Sequence, residues 1–118
     1  MTTFKTKHTY NERKAESQRI MTKYPDRIPI ICEKNIKSHK TPDIDKTKYL
    51  VPHDLTVGHF LYVIRKRLKI NQETAIFLFI ENKGIIPSSI SLITEIYNFH
   101  KDDDGFLYLT YSFENVFG

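Results

Sequence analysis

Val57, Phe60, Leu61, Ile64 and Leu68 recur at the spacing of one helix face. Thr56 stands ahead of them as an N-cap, and Arg65, Lys66 and Arg67 fill the last turn, where cations complement the helix dipole. The helix predicted over residues 56–68 must therefore bury one face against something. Strand-like runs flank it: residues 27–34 and 48–51 upstream, residues 74–80 and 105–111 downstream. A further helix is predicted to start at Ser88 or Ser89, with Ile90, Ile93, Ile96 and Tyr97 on one side. Two adjacent strands, a crossover helix and further strands on one sheet make an α+β roll.

The boundaries follow from local chemistry. Thr9 and Glu12 form a capping-box pair, so a helix is predicted from there through Ala15, Ile20 and Met21 to Tyr24, where Pro25 stops it. Its apolar stripe is thin, which places it on the outside of a domain. A short helical turn is expected before it, around residues 3–7. Pro29 cannot donate to a ladder, so that point borders a sheet edge or a strand start. Residues 35–47 read as a polar loop, and Pro52 ends the second strand. The run at 74–80 is apolar enough to be central or covered. Residues 81–84 and 101–105 read as turns.

A chain of 118 residues makes one domain. Its net charge of +4 is uneven: residues 1–24 hold six Lys/Arg against two Glu, and the remainder balances. This basic segment reads either as a solvated helix face or as a surface for acidic peptides, tubulin-like tails or anionic lipid heads. Its aromatics are not interleaved with its charges, so a nucleic-acid partner is not expected. No apolar run is long enough to span a bilayer, and no signal-peptide core follows Met1. Thr2 rules out myristoylation and the C-terminus has no prenylation cysteine. The single cysteine, Cys32, fits a reducing cytosol.

Nothing in the chain reads as an active site. Cys32 lies within an apolar strand and reads as structural. His8, His39, His53, His59 and His100 show no metal-ligand spacing. Asp102-Asp103-Asp104-Gly105 lacks the calcium-loop pattern and reads as a tight turn. No phosphate-binding glycine loop is present. The chain is therefore expected to be no enzyme and to need no cofactor or metal. The edge near Lys48-Tyr49-Leu50 reads either as ordinary packing or as an acceptor for an added peptide strand.

Several long motifs stand in order: Arg13-Lys14-Ala15-Glu16, residues 27–34, Lys48-Tyr49-Leu50-Val51-Pro52, Leu55-Thr56-Val57-Gly58, residues 62–67, residues 101–111 and Phe117-Gly118. With these the chain resembles the autophagy ubiquitin-like modifier family, which includes GABARAP and the microtubule-associated light-chain-three proteins, from about Phe4 to Gly118. The resemblance implies a ubiquitin-like β-grasp with two additional N-terminal helices. On this division residues 1–24 are a helical extension, 25–112 the β-grasp core and 113–118 an extended conjugation tail.

The resemblance also implies a role in autophagosome formation. Gly118 would be the residue activated and passed as a thioester between activating and conjugating enzymes, then joined to phosphatidylethanolamine. A cysteine protease would remove it again. The chain would be a monomer before conjugation, cytoplasmic, and bound to the autophagosome membrane, and to vacuole or lysosome, once lipidated. Carried over by position, Glu16, Ile20, Pro29, Ile31, Lys48, Leu50 and Phe106 form a pocket for an aromatic side chain. Tyr49, Val51, Pro52, Leu55, Phe60 and Val63 form one for an aliphatic side chain. Together they would hold autophagy receptors and adaptors through an aromatic-x-x-aliphatic motif, with Arg27, Lys46, Lys48 and Arg67 meeting its acidic flank. Residues 76–79 read either as a further docking surface or as core.

The chain departs from the family pattern at Phe113, where the family often has a small residue, and in longer loops at residues 38–42 and 82–87. A different reading, a non-covalent cytoskeletal or trafficking adaptor, would rest on the basic N-terminal helix with Arg13 and Lys14.

Overall fold

A computed structural model describes residues 2–81 and 83–116. Helix α1 spans Phe4–Lys7 and α2 spans Tyr10–Lys23, each opened by a threonine capping box, at Thr3 and at Thr9 with Glu12. Strands β1 (Arg27–Lys34) and β2 (Lys48–Pro52) follow, then α3 (Val57–Leu68), β3 (Phe77–Ile80), α4 (Ile93–His100) and β4 (Leu107–Ser112). Among the described residues they build a four-stranded sheet in the order β2-β1-β4-β3. β1 pairs antiparallel with β2 and parallel with β4, and β3 runs antiparallel to β4. The expected β-grasp with two added N-terminal helices is the observed fold.

Alternation along β1 divides the interior in two. Ile28, Ile30 and Cys32 join the main core with Phe60 and Ile64 of α3 and Ile93 of α4. Ile31 faces the other way, into a smaller cluster with Phe106, Tyr108, Phe4 and Ile20. The N-terminal helices cover this second face, so the thin stripe of α2 is enough to dock it. Pro29 sits inside a central strand rather than at an edge. The Cys32 N–H donates to the Thr47 carbonyl on the β2 side (2.8 Å), so alternation turns the nitrogens of residues 29 and 31 toward β4. Pairing with β4 begins only at Ile30, and the missing donor leaves no gap in the ladder.

Two elements differ from expectation. β3 is four residues long and lies at the sheet edge, not its centre. β4 ends at Ser112 opposite Phe77, so residues 74–76 have no strand to pair with. They are tied to α3 instead: the Arg65 guanidinium donates to the Thr74 carbonyl (2.8 Å), and the Asn71 side chain accepts from the Glu73 and Thr74 N–H groups. The last helix begins at Ile93, not at Ser88 or Ser89, and Ile90 is 84% exposed. The backbone there is committed to the start of α3. The Gly58 N–H reaches the Ser89 carbonyl, the Val57 N–H the Ser91 carbonyl, and the Ile93 N–H the Leu55 carbonyl, each within 2.9 Å.

Candidate functional site

The outer edge of β2 has no strand neighbour among the described residues. The bond from Cys32 to Thr47 and the register Ile30↔Tyr49 set its polarity. Thr47, Tyr49 and Val51 turn their peptide groups inward to β1, so Lys48 and Leu50 turn theirs outward. Pro52 closes this short edge: it has no N–H, and its carbonyl accepts from the Leu55 N–H (3.2 Å). An extended peptide could add two rungs here.

Side chains on the two faces of β2 flank this edge. The cross-strand pairs Pro29↔Leu50 and Ile31↔Lys48 put Lys48 and Leu50 on the α2 side of the sheet. The same side carries Ile20 of α2 and the cluster holding Ile31 and Phe106. Glu16 reaches over from α2, its carboxylate 2.9 Å from the Lys48 ammonium. All seven residues of the expected aromatic pocket thus lie on the same side of the sheet. Leu50, Ile20 and Glu16 are partly open, while Pro29, Ile31 and Phe106 are buried beneath them.

The six residues of the expected aliphatic pocket lie differently. Tyr49 and Val51 point to the α3 side, into the main core. Tyr49 packs edge-to-face on Phe60 at 5.4 Å between ring centroids, and its hydroxyl donates to the Lys46 carbonyl (2.6 Å). Phe60 is fully buried. Of the six, only Pro52, Leu55 and Val63 reach the surface.

Two of the four cations expected at an acidic flank are already engaged. Lys48 pairs with Glu16, and Arg67 pairs through two nitrogens with Asp45, both contacts 3.2 Å. The Arg67 bond holds the Asp45 carboxyl below its ordinary value. The Lys46 ammonium lies over the Tyr49 ring at 5.2 Å, and Arg27 is exposed.

A family model described as "Autophagy protein Atg8 ubiquitin like" matches residues 12–118. The chain belongs to the Atg8 family. It is 56% identical over 115 residues to Autophagy-related protein 8 of Mycosarcoma maydis, covering 98% of this chain and 95% of that one. Against the protein of the same name from Coccidioides immitis it is 58% identical, covering 98% and 96%. The crystal structure of Trypanosoma brucei ATG8 superimposes with a TM-score of 0.86 at 39% identity, over 95% of this chain and 94% of that one. The chain is accordingly a ubiquitin-like autophagy protein.

This Atg8 fold also holds a site that no sequence motif marks. Asp104, expected only as part of a tight turn, is fully buried and joins the N-terminal helices to the sheet. Its carboxylate accepts from Arg13 Nε (2.8 Å), from the Tyr108 hydroxyl and from the Phe106 N–H (2.9 Å). Its carbonyl accepts from the Ser17 hydroxyl. Gly105 follows at a φ of +95°, and a Cβ there would strike the Ser17 hydroxyl. Arg13 also donates to the carbonyls of Lys5 and His8, and its bond to Asp104 raises its pKa. Lys14 donates to the Asp103 carbonyl at 3.0 Å. The two basic residues offered for a partner are thus engaged within the chain itself.

The remaining candidates resolve into structure. Cys32 is buried and its thiol is pushed well above its ordinary pKa by burial. Ile76, Leu78 and Phe79 are buried, so of that run only Phe77 reaches the surface in part. Among the described residues no group of three His, Cys, Asp or Glu is arranged to hold a metal. None of their helices is long and apolar enough to cross a membrane. Gly118 lies outside the described residues.

Proposed function

We propose that the chain is a modifier conjugated through Gly118 to phosphatidylethanolamine and that the outer edge of β2 docks receptors and adaptors of autophagy. The docking reading rests on one observation: the Lys48 and Leu50 peptide groups face outward, with Leu50 and Ile20 partly open on the α2 side and Pro52, Leu55 and Val63 each reaching the surface. A peptide strand gains affinity from those two rungs and specificity from its alternate side chains, an aromatic one toward Leu50 and Ile20 and an aliphatic one toward Val63. Acidic residues beside the motif would face Arg27, Lys46, Lys48 and Arg67.

The conjugation reading is supported by membership in the Atg8 family, whose model matches through Gly118. An activating enzyme joins the Gly118 carboxylate to the adenylate of ATP, releasing pyrophosphate; its cysteine thiolate displaces AMP, and thiol exchange passes the acyl group to the cysteine of the conjugating enzyme. The lipid amine displaces the thiol of the conjugating enzyme to leave an amide. Glycine has no Cβ to obstruct these attacks. The chain on this reading is the substrate and not a catalyst. A cysteine protease would reverse the linkage. Two acyl chains on the lipid give stable anchoring where one would not. The protein would move from the cytoplasm to the autophagosome membrane, and with it to vacuole or lysosome.

Reconstitution with activating and conjugating enzymes and phosphatidylethanolamine vesicles tests this. The full chain should give a lipid-shifted band that deletion of Gly118 abolishes. A band that survives the deletion contradicts the conjugation reading.

A further inference from the structure

Residues 35–42 belong to a loop that reads as simply polar, yet Asn35, Ser38 and Thr41 are buried. Polar side chains stay buried where they find partners, and these find them on the last residues of β4 and the residue after it. The Asn35 N–H donates to the Tyr111 carbonyl (2.9 Å), and Asn35 Nδ2 donates to the Thr110 hydroxyl (3.3 Å). The Tyr111 hydroxyl donates to the Pro42 carbonyl (2.7 Å). The Phe113 N–H donates to Thr41 Oγ1 at 2.8 Å, and the Ser38 hydroxyl bonds the same oxygen. The Phe113 ring, half-buried, packs on the main core. The residue at which the chain leaves the sheet is therefore held by its backbone and its side chain together. Two of the three departures from the family pattern, the longer loop at residues 38–42 and the bulky Phe113, meet at this one point.

We propose that Thr41 is a positioning residue for conjugation: its hydroxyl fixes the root of the C-terminal tail at Phe113 and so eases capture of the tail by the activating enzyme. The inference rests on the conjugation reading above. A root that is already ordered need not be ordered again when the enzyme captures the tail, so the effect falls on capture and not on the chemical step. A phenylalanine at 113 serves this anchor where a small residue would not.

The test uses the full chain with Thr41→Val, which keeps the shape and removes the acceptor, and Thr41→Ser, which keeps the acceptor. Two quantities are read: amide hydrogen exchange at Phe113 by NMR, and KM and kcat for thioester formation with the activating enzyme. Thr41→Val should speed exchange at Phe113 and raise KM about fivefold at unchanged kcat, with Thr41→Ser restoring both. Phe113→Ser, which leaves the loop intact, should raise KM in the same way. An unchanged KM in Thr41→Val, a fall in kcat alone, or no rescue by Thr41→Ser overturns the inference. A wild-type chain that forms no thioester overturns the conjugation reading itself, whereas one whose KM is indifferent to Thr41 overturns only this assignment.

Discussion

The Lys48 ammonium meets the Glu16 carboxylate at 2.9 Å, tying helix α2 to the outermost strand of the sheet. Both side chains are partly open to solvent, so the pair adds at most about 1 kcal/mol to the fold. Its larger effect is on charge: Glu16 shields the lysine that an acidic flank would meet. Glu16→Gln should tighten a motif peptide with upstream acidic residues about threefold and steepen its salt dependence, leaving stability nearly unchanged. Calorimetry at two salt concentrations measures this. Unchanged affinity would remove Lys48 from the flank contact.

Tyr49 and Leu50 are neighbours with opposite duties. Tyr49→Ala opens a cavity beside Phe60 and should cost about 3–4 kcal/mol in denaturant unfolding. Leu50→Ala touches the open face and should cost about 1 kcal/mol while weakening the motif peptide about tenfold or more. A Leu50→Ala protein that binds as tightly as wild type would exclude this face.

Arg13 and Asp104 hold the N-terminal helices in place. Arg13→Ala leaves a buried carboxylate with Tyr108 and the Phe106 N–H but no cation. The expected loss is about 2–3 kcal/mol by denaturant unfolding. A loss near zero would show that Asp104 is satisfied without Arg13.

Burial raises the Glu33 carboxyl above its ordinary value of 4.5, with Glu81 adding to the shift and the Phe4 N–H, Lys7 and Lys5 opposing it. The folded state thus holds this proton more tightly than the unfolded state. Stability is accordingly lost as pH rises from the ordinary value through the raised one. Glu33→Gln keeps an acceptor for the Phe4 N–H and removes that loss. It should gain on wild type at about pH 7 and not at about pH 4, in denaturant midpoints compared at the two values. An equal difference at both would assign the effect to something other than titration.

The sequence made some elements legible and hid others for physical reasons. β1 spans residues 27–34 as expected, because β-branched residues and Pro25 leave little alternative. The capping boxes and the α3 stripe are local signals, and local signals survive folding. The start of α4 does not, because the backbone around Ser88 and Ser89 is drawn into a bridge to Leu55–Gly58, more than 30 residues away in the chain. The length of β3 depends on where β4 ends, which residues 74–80 do not encode. The aromatic-pocket residues share one side of the sheet, since the register of one hairpin fixes most of them. The aliphatic set splits, because burial of Phe60 and Tyr49 depends on how α3 packs. Asp104 and Thr41 were hidden because their partners, Arg13 and Phe113, are far off in sequence.

Amide exchange along β2 tests the central claim most directly. In the free protein the outward N–H groups of Lys48 and Leu50 should exchange fast, while Tyr49 and Val51, paired with β1, should be protected. Saturation with an aromatic-x-x-aliphatic peptide should protect Lys48 and Leu50 and leave Tyr49 and Val51 as they were. A peptide that binds while Lys48 and Leu50 continue to exchange at the free rate would contradict strand addition at this edge.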